Sequence, residues 1–126
     1  MIRDSITSVR PEILTIKESH HSTEMEGFQS KVLRPIAKYQ NVIILKAFSR
    51  YLNKYKISLE GKSQKDKIEI ITKAMKTNKE LKCFYQGLMA GLMTDEEFDF
   101  YILHRSEVNR RMTTLLLERI VSQVAV

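Results

Sequence analysis

The side chains able to do covalent or acid–base chemistry are few. They are Cys83, His20, His21, His104 and the carboxylates, of which Asp95, Glu96, Glu97 and Asp99 form the one dense cluster. Glu18-Ser19-His20-His21 contains the Glu-x-x-His spacing that places a carboxylate and an imidazole on one helical face. Di-iron bundles need two such motifs and two further inward Glu residues. His104 has Tyr101 three residues before it, so a second copy could come only from a symmetric partner. Cys83 would act as a nucleophile only beside a base that lowers its pKa, and Lys82 is the one charged neighbour in sequence. Within an apolar helix it reads as a small core residue. Three of the four acids follow Thr94 directly, where they cap a helix and meet its positive end. The sequence has no phosphate-cradling glycine loop, dinucleotide fingerprint or nucleophile elbow. No catalytic residue, metal ligand or cofactor is assigned.

Two other patterns suit binding. Lys38, Lys46, Arg50 and Lys54 alternate with Tyr39, Phe48, Tyr51 and Tyr55, the mixture of charge and rings found on nucleic-acid surfaces. The rings fall on an apolar stripe, which makes them core and leaves the bases as a solvated face. Cys83, Gly87 and Gly91 recur four apart, a narrow smooth strip whose glycines cost helix stability unless another helix packs closely against them. That strip is the candidate interface.

Composition sets the bounds. The 126 residues suit one helical domain spanning 1–126, with 1–22 a loosely packed N-terminal helix. Only 4 Gly and 2 Pro are present, too few for the many turns of an all-β fold. One cysteine excludes a disulfide framework and the cysteine-rich zinc sites. No run approaches the roughly 18 apolar residues of a membrane span, and the first residues lack a signal-peptide pattern, so the cytoplasm is the expected compartment. The net charge is +6, with residues 23–57 carrying +5 and residues 94–126 carrying −2. Such halves could serve a polyanion, or pair with each other within the fold or across a dimer.

The elements that position these residues follow from helical spacing. Ile2, Ile6, Val9, Ile13 and Ile16 mark a short helix interrupted at Pro11. Thr23 and Glu26 resemble a capping box opening a long segment through Tyr55, in which Pro35 either kinks the helix or begins a new one. Val42 to Leu45 covers every side of one turn, which predicts a central helix; a strand is the alternative. A loop at Ile57–Lys62 leads to Ser63, which caps a helix with Ile68, Ile71 and Met75 on one face. Asn78 caps the next, with Leu81, Phe84, Leu88 and Leu92 as its apolar stripe. Thr94 and Glu97 open a helix buried through Phe98, Tyr101 and Ile102, and Ser106 with Asn109 marks a weaker restart. The last helix buries Val108, Met112, Leu115, Leu116, Ile120 and Val124, and Leu115-Leu116-Leu117 is wide enough to suggest a second contact surface. The whole is an all-α compact bundle of five to six helices, with a long kinked helix in its first half.

Phe28-Gln29-Ser30-Lys31-Val32-Leu33-Arg34-Pro35-Ile36, Thr94-Asp95-Glu96-Glu97-Phe98 and Asn109-Arg110-Arg111-Met112 resemble a family of short bacterial helical proteins over residues 28–123. Some members carry the label glyoxalase. Glyoxalase-like folds are paired βαβββ modules with His and Glu ligands on strands, and neither strands nor ligands are present here. The resemblance implies a helical fold and no catalytic position.

These features predict a non-enzymatic helical protein acting through protein–protein contacts, as a homodimer. The alternative is a basic nucleic-acid-binding module. A small metal or redox enzyme using Glu18, His21 or Cys83 is the third reading.

Overall fold

In a computed structural model, residues 2–8 and 24–126 are described, and among them every regular element is helical. Ile2–Ser8 forms a 3-10 segment. The Glu18–His21 motif, Pro11 and Thr23 lie outside the described residues.

The first long segment runs through four pieces. α1 (Glu24–Phe28) passes into a π-helical turn (Gln29–Leu33), then α2 (Arg34–Tyr39), and after Gln40 into α3 (Asn41–Lys54). Pro35 lies in the first turn of α2, the alternative in which proline begins a new helix. A regular α-helix there would need a Pro35 N–H and would press its ring onto the carbonyl of Lys31. The wider turn just upstream, in which the Arg34 N–H donates to the Gln29 carbonyl, admits the ring while the backbone stays helical. The slight dislocation at Gln40 (φ −88°, ψ 8°) has no proline or glycine behind it and was not foreseeable.

α3 ends on a left-handed residue. Lys56 (φ 55°) donates to the Asn53 carbonyl at 3.2 Å and Ile57 to the Leu52 carbonyl at 2.8 Å, the paired bonds that close a helix when its C′ residue turns left-handed. Gly61 (φ 76°) bends the loop back. The Ser63 hydroxyl accepts from the Asp66 N–H and opens α4 (Gln64–Thr77). The Asn78 carboxamide accepts from the Leu81 N–H and opens α5 (Lys79–Ala90). A full capping box, with Glu97 N–H donating to the Thr94 hydroxyl at 3.2 Å and Thr94 N–H to the Glu97 carboxylate at 2.9 Å, opens α6 (Asp95–Leu103). α7 (Arg105–Val124) follows from His104 with no side-chain cap, so the restart precedes Ser106.

The central helix is α7, not the Val42–Leu45 stretch of α3. Val108, Met112, Leu115, Leu116 and Ile120 are buried, and α7 touches α3, α4, α5, α6 and the π-turn. Leu117 also packs against the core, so the leucine run is absorbed inside rather than left as a second contact surface. α3 instead lies on the outside. Ile44 and Phe48 are buried toward α5 and α7, whereas Val42 and Ile43 are exposed, with no described element covering them. Tyr39 and Tyr55 are exposed as well, and of the rings of this segment only Phe48 is fully buried.

Candidate protein-contact surface

α5 carries the largest difference from the sequence expectation. Its buried stripe is Leu81, Tyr85 and Met89, one position away from the expected Phe84. The Tyr85 hydroxyl donates to the Ile44 carbonyl at 2.7 Å in the core, and this bond selects the stripe by fastening α5 to α3. Burial pushes the Tyr85 phenol well above its ordinary range. Gln40 adds a second link, its amide donating to the Leu88 carbonyl at 3.4 Å. With Tyr85 inward, the opposite side of α5, bearing Cys83, Phe84, Gly87 and Gly91, faces outward and is exposed. A Cβ on Gly87 would meet nothing within 4 Å, and one on Gly91 would meet only carbonyls of its own helix. Neither glycine has a side chain of another described helix packed closely on it, and Cys83 is a surface residue rather than a core one.

Between α3 and α5 lies a groove of about 400 Å³. Ile43, Ala47 and Tyr51 face Leu81 and Phe84 across its floor, and Lys46, Arg50 and Lys54 line its α3 rim. Steps of three and four residues put Ile43, Lys46, Arg50 and Lys54 on one helical face. Lys38 is exposed but sits on α2, beyond Gln40, so three of the four expected cations are brought together and one is set apart. Lys54 reaches across to Glu80 at 2.8 Å and closes one end. That hydrogen bond, reinforced by the opposite charge, raises the Lys54 ammonium and lowers the Glu80 carboxyl relative to their ordinary values. Both groups are exposed, so the pair orients more than it stabilises. Tyr55 lies under Lys54, 5.7 Å from ring centroid to ammonium, and stacks near Tyr51 at 4.9 Å. Burial, then the neighbouring Tyr55, raises the Tyr51 phenol. Lys46 has no ion-pair partner among the described residues, while the charge of Arg50 adds to that of Lys54 in lowering the Glu80 carboxyl.

α6 is the second surprise. Tyr101 is buried, its hydroxyl donating to the Asn109 carboxamide at 2.6 Å, and Phe100 stacks between Phe28 (4.7 Å) and His104 (4.4 Å). Phe98 and Ile102, expected in the buried face, are instead 43% and 50% exposed, with Leu103 beside them. The signal was present in the sequence, since Phe98-Asp99-Phe100-Tyr101-Ile102-Leu103 has more apolar residues than one helical face can hold. Phe98 and Asp99 also line a hollow with Ala90 and Gly91 of α5.

The remaining candidates stay apart from this surface. His104 sits at the α6–α7 junction against Phe100. Arg110 and Arg111 pair with Glu107 at 2.8 and 3.0 Å, and Arg111 also donates to Gln29 at 2.8 Å, which ties α7 to the π-turn. Among the described residues no three His, Cys, Asp or Glu side chains converge to hold a metal, and no helix is long and apolar enough to cross a membrane.

Comparisons with protein-family models, with curated proteins and with solved structures gave no match.

Proposed function

We propose that this chain is a protein-contact module that self-associates through the outer surface of α3, α5 and α6. One observation carries the reading. Ile43, Phe84, Phe98 and Ile102 are 43%, 48%, 43% and 50% exposed, with Ile43 and Phe84 lining one groove and Phe98 lining a hollow beside Gly91 at the end of α5. Large apolar side chains gathered on one side of a small domain mark an interaction surface, and symmetric dimers are the commonest assembly that covers one. The resemblance of residues 28–123 to short bacterial helical proteins adds a fold to this reading and no chemistry. Sedimentation or light scattering across a concentration series tests it: a mass that stays at 14.7 kDa at high concentration would remove the homodimer.

Nucleic-acid binding is the second reading, supported by the single exposed face of Lys46, Arg50 and Lys54 beside the exposed ring of Tyr55. Against it, Lys54 is engaged by Glu80 and the groove floor is aliphatic as well as aromatic. Retention on DNA or RNA that weakens steeply with salt would favour this reading over self-association.

A further inference from the structure

The outer surface has two halves of opposite charge on a shared apolar floor. In the first, Ile43 and Phe84 are flanked by Lys46 and Arg50. In the second, Phe98 and Ile102 are flanked by Asp99, exposed on α6 and lining the same hollow as Phe98. Phe98, Asp99 and Ile102 follow each other at one and three residues, so apolar and acidic side chains share the outward side of that helix. Each half has the chemistry the other lacks.

The halves are also joined in a way that suits two-fold symmetry. Phe84 lines the groove and Gly91 lines the hollow beside Phe98. Seven residues apart on α5, they lie on the same side of the helix, separated by about 10 Å along its axis. Gly87 lies between them, exposed and bare. An isologous interface needs one continuous patch in which each half complements the other across the axis, and no side chain stands at the middle of this one.

We propose that in the dimer α6 of each copy lies in the α3/α5 groove of the other. Phe98 and Ile102 pack against Ile43 and Phe84, and Asp99 faces Arg50 and Lys46. The lengths agree: the nine residues of α6 extend about 13 Å, and Ile43 to Lys54 on α3 extends about 16 Å. The Lys54–Glu80 pair closes the far end of the groove, which concentrates the attraction on Lys46 and Arg50. The inference rests on the self-association reading and adds the pairing of surfaces to it.

Charge reversal tests that pairing. One variant carries Lys46→Glu and Arg50→Glu, the other Asp99→Lys. All three positions are exposed, so each variant should fold, and helical circular dichroism with a cooperative melt verifies it. Each homodimer would place like charges at both symmetric contacts, and its dissociation constant should weaken at least about tenfold. Mixed in equal amounts, the two variants restore opposite charges at both contacts, so a heterodimer should form with an affinity near that of the unmodified chain. If the unmodified chain dimerises but neither reversal weakens it, or if the mixture stays monomeric, the pairing is wrong while self-association stands. A monomeric unmodified chain would overturn the self-association reading itself. Binding of an unrelated acidic helix or a nucleic acid to the groove would be lost with Lys46→Glu and Arg50→Glu and would gain nothing from mixing, which also overturns the pairing.

Discussion

α6 and α7 are both richer in apolar residues than a single helical face requires, yet they end in opposite situations. α7 is surrounded by α3, α4, α5, α6 and the π-turn, so its wide stripe, including all of Leu115-Leu116-Leu117, packs inside. α6 packs mainly on α7, and once Phe100 and Tyr101 are inward, Phe98, Ile102 and Leu103 are left exposed, with no described element covering them. Apolar width along a helix therefore has two meanings, and the number of neighbours decides between them. In α7 it means a central position. In α6 it means a helix that buries one side and leaves apolar side chains exposed on the other.

That contrast can be broken most severely at α7. Leu116→Ala should cost about 2–5 kcal/mol of stability, because a fully buried leucine leaves a cavity that five surrounding elements cannot all collapse into. Urea unfolding gives the number. Ile102→Ser on α6 should change the same midpoint by less than about 0.5 kcal/mol when measured on dilute monomer. A large loss there would place Ile102 in the core and undo the comparison.

The next effect concerns what turns Phe84 outward. Tyr85→Phe removes the hydroxyl that bonds the Ile44 carbonyl and should cost about 1 kcal/mol at pH 8. The pH dependence has a definite sign. Burial raises the Tyr85 phenol above its ordinary value of 10.0, so the unfolded chain ionises first. Stability linked to Tyr85 is complete below pH 10 and declines as pH rises above it. The gap between the parent and Tyr85→Phe should therefore shrink between pH 8 and pH 11 in paired urea melts. A gap that widens would contradict a buried, neutral phenol.

Comparable or smaller are two effects on the helices themselves, at the start of α6 and within α5. Thr94→Ala removes one half of the α6 capping box and should lower stability by about 1 kcal/mol. Gly87→Ala should raise the stability of the monomer by about 0.5–1 kcal/mol, since Gly87 is helical and the added methyl meets nothing. Both are read from thermal melts at a concentration low enough to keep the chain monomeric.

Much of the fold was legible in the sequence. Ser63, Asn78 and Thr94 each cap the helix expected of them, because a short side-chain oxygen just before an apolar periodic run has few other uses. The Pro35 alternatives included the correct one. What could not be read was which side of each helix faces the core. On α5 the choice between Phe84 and Tyr85 depends on a hydrogen bond to a residue 41 positions away, and periodicity alone does not distinguish adjacent aromatic positions. On α3, an apolar turn at Val42–Leu45 looked central, but among the described residues nothing covers Val42 and Ile43. For the site, Lys46, Arg50 and Lys54 were legible as a row from their spacing. The glycines were legible as a strip, but not as an exposed one, because a bare helix face looks the same in sequence whether a partner lies inside the chain or outside it.

The most direct test of the account is the solution mass of the chain beside that of Ile102→Ser over a wide concentration range. Self-association through the outer surface predicts that the parent reaches twice 14.7 kDa as concentration rises, while Ile102→Ser, equally stable as a monomer, remains at 14.7 kDa. A parent that stays monomeric throughout, or a variant that dimerises as tightly as the parent, would contradict it.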